Sequence, residues 1–290
     1  YQTEMARLAT LPVIDIWHAR IDERDAVQWA ARHGEEAQKR MHSAVKSAKS
    51  RTNQQATAKL TKVVDGQHRF IESSTVIRLS DEQTDLIKQS FLQFRDALSE
   101  GRCWLFDRYS VEDAARKVVG VGSVGTRVFV VLLQGRDETD QMVLQIKQAE
   151  HSVIEFAGGT TPYANQAQRV VNGQFLLQSS SDIFLSWTRS TIIGEDFYLR
   201  QLRDWKSSVA FETLPTDFLH SYAKFTGRVL AMAHARGGDA VAIASYIGKS
   251  GALVDAIGQF ALDYADQNAR DYDALVRAVT AGRIRAQVDV

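Results

Sequence analysis

A chain of 290 residues that is 44% hydrophobic and 24% charged can bury a sizeable core, in one large domain or two small ones. Its 35 basic and 35 acidic residues cancel, which removes any global attraction to nucleic acid or to an anionic membrane and gives no support for a basic partner. The single Cys103 excludes an internal disulfide framework and a multi-thiolate metal site, and it fits a reducing cytoplasm.

The chain opens Tyr1-Gln2-Thr3-Glu4, without Met, an apolar signal segment or a stretch long enough to span a bilayer, so a soluble, cytoplasmic fragment of a longer protein is expected. The first region, residues 1–107, is helical with a small hairpin. "DERDAVQWAARHG" and "EEAQKRMHSAVKSAKS" have helix-forming composition, with Gly34 able to stop the first. "KVVDGQHRFI" sets Asp65-Gly66 between apolar runs, a favoured hairpin turn, and "SDEQTDLIKQSFLQFRDAL" has a serine-acid start followed by helical spacing.

Residues 108–205 are rich in strands. "ARKVVGVG", "RVFVVLLQG", "MVLQIKQA", "DIFLSW" and "DFYLRQL" are short β-branched and aromatic runs bounded by Gly, Asp or Ser, which predict a mainly antiparallel sheet. Between the third and fourth, "EHSVIEFAGG" and "YANQAQRVVNGQFLLQSSS" predict helix packed on that sheet. Residues 206–290 are helical, with Pro215 near a helix start and Gly237-Gly238 past its end. The fold class is therefore α+β, a sheet lobe followed by a helical lobe.

Gly120, Gly122 and Gly125 form a Gly-x-Gly-x-x-Gly pattern between the first two strands of the sheet lobe. In a dinucleotide-binding unit such glycines open a helix whose amides hold the pyrophosphate, but "RVFVVLLQG" is a strand sequence. A P-loop fails for lack of the Gly-Lys-Ser/Thr ending. Strand, glycine loop, strand and then a strand bearing a lysine is instead the order of a protein-kinase-like nucleotide lobe. Lys147 in "LQIKQ" is that lysine, and Glu155, with Glu150 as second choice, is the acid that would hold it. A plain glycine-bounded hairpin with an exposed strand lysine in an ordinary α+β domain would carry the same residues.

The segment "HARGGD", His234 to Asp239, echoes the kinase catalytic loop, yet its fifth position after Asp239 is Ala244 rather than Asn, and no Asp-Phe-Gly follows. A helix stop with Asp239 capping the next helix accounts for it. The seven histidines form no metal-binding pair and no nucleophile elbow is present, so no catalytic residue and no metal ligand is assigned. The basic excess between Ala31 and Lys62 lacks the aromatic residues that stack on bases and is expected to be a solvated helix face.

"DIWHARID", "KLTKVVDGQHRF", "ARKVVGVGSVGTR", "LQIKQAEHSVIE", "QRVVNGQFLLQSSSDIFLSWT", "DFYLRQLRDWKSS", "LAMAHARGGDA" and "ALDYADQNARDYDAL" together resemble an uncharacterised bacterial family, the domain of unknown function twenty-two fifty-two. The resemblance covers nearly the whole chain. It implies an upstream Gly-Asp-x-His-x-x-Asn segment and an Asp-rich one, similar to the catalytic and metal-binding loops of aminoglycoside-phosphotransferase-type kinases but placed before the glycine loop, a circularly permuted order. On that analogy ATP would contact Gly120, Gly122, Ser123, Gly125 and Lys147, with Gln201 and Leu202 near the adenine and Mg²⁺ held upstream. The acceptor, a small molecule or a protein, is not specified. A pseudokinase that binds nucleotide and a non-catalytic interaction domain are the alternatives.

Overall fold

The computed structural model describes residues 1–31, 34, 35, 38, 39, 42, 43, 46, 53–118, 125–202 and 215–286. Six strands build one antiparallel sheet: β3 (Val76–Arg78), β4 (Ser110–Lys117), β5 (Val128–Gln134), β6 (Gln141–Gln148), β7 (Ser186–Arg189) and β8 (Asp196–Gln201), in the spatial order β3-β4-β5-β6-β8-β7. A separate hairpin pairs β1 (Thr61–Val64) with β2 (Gln67–Phe70). The central strands are apolar at almost every position because both faces of the sheet are covered. On one face Val131, Leu133, Leu144, Ile146, Phe197 and Leu199 meet Phe91, Phe94 and Phe106, which come from α5 (Asp81–Leu92), the 3₁₀ turn Gln93–Ala97 and α6 (Glu100–Phe106). On the other, Val130, Leu132 and Val143 meet Phe70 of β2 and Leu60, the last residue of α4 (Asn53–Leu60). Leu132 and Leu144 are fully buried, each contributing on the order of 1.5 to 3 kcal/mol relative to exposure.

The β1–β2 hairpin turns at Asp65 and Gly66, whose φ values of 51° and 77° lie in the left-handed region that this turn requires. Carboxylates on β4 hold it against the sheet: Glu112 accepts from the His68 amide at 2.8 Å, and Asp113 from the Phe70 amide at 2.8 Å and Arg69 Nη1 at 3.2 Å. The β4 register shifts between Val111 and Asp113. At the start of α5 the Ser80 hydroxyl accepts from the Gln83 amide while the Gln83 side chain accepts from the Ser80 amide, a reciprocal cap.

After β6 come a single turn, α7 (Val153–Phe156), and then α8 (Gln166–Leu177), which packs on β7 and β8. The helical part consists of α9 (Thr216–Gly237), α10 (Ala240–Ile247) and α11 (Ala252–Thr280), together with α1 (Gln2–Leu8) and α2 (Val13–His18) from the other end of the sequence; α3 (Glu23–Ala31) follows α2. Met5, Leu8 and Ile16 share a core with Ala231, Met232, Ala235 and Ala240. Arg236, buried, ties this core to the sheet side. Its guanidinium donates to the Leu176 and Gln178 carbonyls at the end of α8 and to the Trp17 carbonyl at the end of α2, and it stacks 4.6 Å over the Trp17 ring. Asp239 caps α10 by accepting from the Val241 and Ala242 amides at 2.9 and 3.0 Å, as its position after Gly237-Gly238 predicts. Among the described residues no single helix is long and apolar enough to cross a membrane.

Candidate functional site

The connection between β4 and β5 carries the glycine pattern. Because Arg116 pairs with Phe129 and Ala115 with Val130, residues 118–127 join two adjacent antiparallel strands. Gly120, Gly122 and Ser123 lie outside the described residues. Gly125 lies within them, with φ +89° and open space around the position of a Cβ, so backbone conformation rather than crowding calls for glycine there. Strand β5 begins three residues later, at Val128. No helix starts at the last glycine, which removes the dinucleotide-binding arrangement.

Lys147 is the penultimate residue of β6, opposite Val128 on one side and Tyr198 on the other. The end of β6 is stitched to the residues that follow Gly125: the Gln148 amide donates to the Arg127 carbonyl at 2.9 Å, and the Arg127 amide to the Gln148 side chain at 3.0 Å. Strand alternation puts Lys147 on the same face as Val143 and Gln145, opposite the face formed by Met142, Leu144 and Ile146. Tyr198, its cross-strand neighbour, is pushed above the ordinary phenol pKa by burial. Sequence reasoning assigned Tyr198 no role, since only the β6–β8 register makes it a neighbour of the lysine.

Glu155 occupies α7, whose first turn is capped by the Ser152 hydroxyl accepting from the Ile154 amide. Its Oε2 accepts from His151 Nδ1 at 2.8 Å, while Oε1 is buried with no hydrogen-bond partner. The His151 bond is the main reason the Glu155 carboxyl lies below its ordinary pKa; burial opposes it, and the Ser152 amide and the charges of His151 and Arg169 add smaller lowering effects. Gln166 Nε2 lies 3.2 Å from the same His151 nitrogen, and Arg169 bridges the Gln166 side chain and the Glu150 carbonyl at 2.8 and 2.9 Å. Glu150 thus enters the cluster through its backbone. The sequence of α8 contains no Asp or Glu, so Glu150 and Glu155 are the carboxylates available just after the lysine strand.

The exit from the sheet at Gln201 and Leu202 is held firmly. Asp182 accepts from the Gln201 amide at 2.6 Å and from the Phe184 amide at 2.9 Å, and the Leu202 amide donates to the Val143 carbonyl at 3.0 Å. Both backbone donors at this exit are engaged inside the protein, which leaves side chains and carbonyls for any ligand. A second carboxylate, Asp196 at the start of β8, is buried and accepts from the Gln166 amide at 2.7 Å, Asn165 Nδ2 at 3.0 Å and Arg189 Nη1 at 3.3 Å, pinning α8 to the sheet. Asp182 and Asp196 each precede an apolar strand run in the sequence, where they read only as strand boundaries.

Among the described residues no three His, Cys, Asp or Glu side chains converge in a way that could hold a metal ion. A cavity of about 490 Å³ is lined in part by Ile21, Leu177, Phe225, Met232 and Arg236. Of the basic run between residues 31 and 62, Arg32, Arg40, Lys49 and Arg51 lie outside the described residues.

No curated protein and no solved structure matches the chain. One family model does, over residues 1–278: an uncharacterised protein conserved in bacteria, DUF2252. That match spans nearly the whole sequence, and the chain belongs to the DUF2252 family.

Proposed function

We propose that this chain is the nucleotide-binding part of a kinase-like phosphotransferase, with ATP as the nucleotide and the acceptor unspecified. The observation that carries the reading is the adjacency of three parts in one sheet. The glycine connection joins β4 to β5, the lysine strand β6 lies beside β5, and β8, which leads out of the sheet at Gln201 and Leu202, lies on the other side of β6. In a kinase-like lobe such a set lets backbone amides of the glycine loop close over phosphates while one ammonium meets their oxygens.

Gly120, Gly122, Ser123 and Gly125 would supply the amides and Lys147 the charge, with Glu155, on the turn of helix after the lysine strand, as the acid to position that lysine and Glu150 as the second choice. Gln201 and Leu202 would border the base through side chain and carbonyl. Among the described residues no three His, Cys, Asp or Glu side chains converge to hold a metal ion, and the family resemblance would assign the Mg²⁺ ligands to an upstream segment of a permuted, two-lobed kinase-like protein.

Calorimetric titration with ATP tests the reading. The chain should bind ATP weakly and with little dependence on Mg²⁺, and a longer chain that carries the upstream segment implied by the resemblance should bind more tightly in Mg²⁺. Lys147→Ala in that longer chain should weaken binding by about tenfold or more, as expected for loss of a charge-assisted contact. Equal affinities for the longer chain and its Lys147→Ala variant would remove the phosphate role. Phosphoryl transfer by the longer chain would distinguish a transferase from a nucleotide-binding regulator.

A further inference from the structure

Helix α11 is 29 residues long, about 43 Å, and Ala278 is its buried residue. A helix in water draws most of its stability from packing an apolar face, and α11 has such a face. At about 100° per residue, Leu253, Ile257, Phe260, Tyr264, Leu275 and Val279 fall within one arc, while Asp255, Asp263, Asp266, Arg270, Asp273 and Arg277 fall on the other side. Ile257, Phe260, Tyr264 and Tyr272 are 58%, 65%, 57% and 65% exposed.

The stripe is nearly symmetric about Asp266. Leu253 and Val279 stand thirteen residues to either side of it, Ile257 and Leu275 nine, and Phe260 and Tyr272 six. A sequence with that property is complementary to itself run backwards. We infer that α11 pairs in antiparallel fashion with α11 of a second copy of this chain, about a two-fold axis at the level of Asp266.

The polar residues on the stripe select this direction. A parallel pair would set Asn268 against Asn268 and Asp271 against Asp271, two like charges in the seam. The antiparallel pair sets Asn268 against Tyr264 and Asp271 against Ala261. The Asp271 carboxylate accepts from Gln267 Nε2, one turn back at the edge of the stripe, at 2.8 Å. Ala256, Ala261, Ala265 and Ala274 flank the stripe and let the two axes approach closely. At about 100 Å² for each large side chain on the stripe, one helix offers roughly 600 to 700 Å², near the roughly 800 Å² per partner of a stable complex.

Sedimentation equilibrium at micromolar concentration tests the pairing. The chain should run at twice its 32.4 kDa mass. Phe260→Glu, at a side chain already exposed in the single copy, should keep its helical circular dichroism and weaken the dimer by about a hundredfold or more. Leu262→Glu, on the opposite side of α11, should leave the dimer intact. In a Cys103→Ser background, spin labels at residue 280 of the two copies should lie about 42 Å apart, whereas a parallel pair would bring them together. A monomer, a dimer that survives Phe260→Glu, or a short label distance would overturn the proposal. A monomer would leave the face to lipid or to a further stretch of polypeptide.

Discussion

Asp196 is the carboxylate on which the position of α8 depends, and replacing it gives a number that can be worked out beforehand. Its side chain is 8% exposed and receives three donors. The Gln166 amide belongs to the first turn of α8, where backbone donors have no partner within the helix, and a carboxylate acceptor there contributes about 1.5 to 3 kcal/mol. The Asn165 amide nitrogen adds a second buried donor, and the same Asn165 side chain caps α8 by accepting from the Gln168 amide at 2.9 Å. Arg189 is 64% exposed, so solvent screening leaves its ion pair worth less than about 1 kcal/mol. Asp196→Ala strands two buried donors and should cost about 3 to 5 kcal/mol, while Asp196→Asn keeps one acceptor and should cost about 2 kcal/mol. Urea unfolding would show lower midpoints with unchanged slopes, and at about 2 to 4 °C per kcal/mol the alanine variant should melt about 10 °C lower. Arg189→Ala, measured alongside, should be nearly neutral. If Asp196→Ala lost less than about 1 kcal/mol, or if Arg189→Ala cost as much, the carboxylate would not be acting as a buried anchor for the helix start.

Arg236→Lys should destabilise by about 2 to 4 kcal/mol in thermal melts, because an ammonium cannot reach the Leu176, Gln178 and Trp17 carbonyls together. Asp137, in the turn between β5 and β6, has its carboxyl pKa lowered to about 2, first by the Thr139 hydroxyl and then by Arg136 and the Thr139 amide. Its contribution is therefore complete above the ordinary carboxylate value near pH 4 and is lost as pH falls through about 2; in a carboxyl NMR titration, Thr139→Val should move that pKa upward. Gly173→Ala, inside α8 with nothing within 4 Å of the new Cβ, should raise stability by about 0.5 to 1 kcal/mol in urea unfolding. Gly159→Ala should lower it by about 1 to 3 kcal/mol, since the Cβ would sit 2.5 Å from Ile154 Cγ2 and 2.8 Å from the Ile154 carbonyl oxygen.

Elements whose cause is local were legible. Asp65-Gly66 announced its hairpin, Asp239 its cap, and the apolar runs of β5 and β6 their strands. Strand β4 was seen only at its end, because its first half, "SVEDA", carries Glu112 and Asp113, which face the hairpin amides rather than a solvent or a core. Strand β3 is three residues on a sheet edge, too short for a pattern. "EHSVIEFAGG" reads as helix but makes one turn, ended by Gly158 at φ +88° and by Gly159 packed against Ile154. At the site, the order of glycines and lysine could be read along the chain. The partners Tyr198, Asp182 and Asp196 could not, since each acts across strands or between elements far apart in sequence.

The core shared by α1, α2, α9 and α10 bears on the order in which the chain folds. Helices α1 and α2 have seven and six residues, too few to persist alone in water, and the residues that bury Met5, Leu8 and Ile16 lie more than two hundred positions later. During synthesis the strands from Val76 to Gln201 can pair as soon as they emerge, whereas the first helices must wait for Ala231 to Ala240. The sheet thus has a head start of its own, and the loop that the helical core must close is shortened by the sheet already folded inside it.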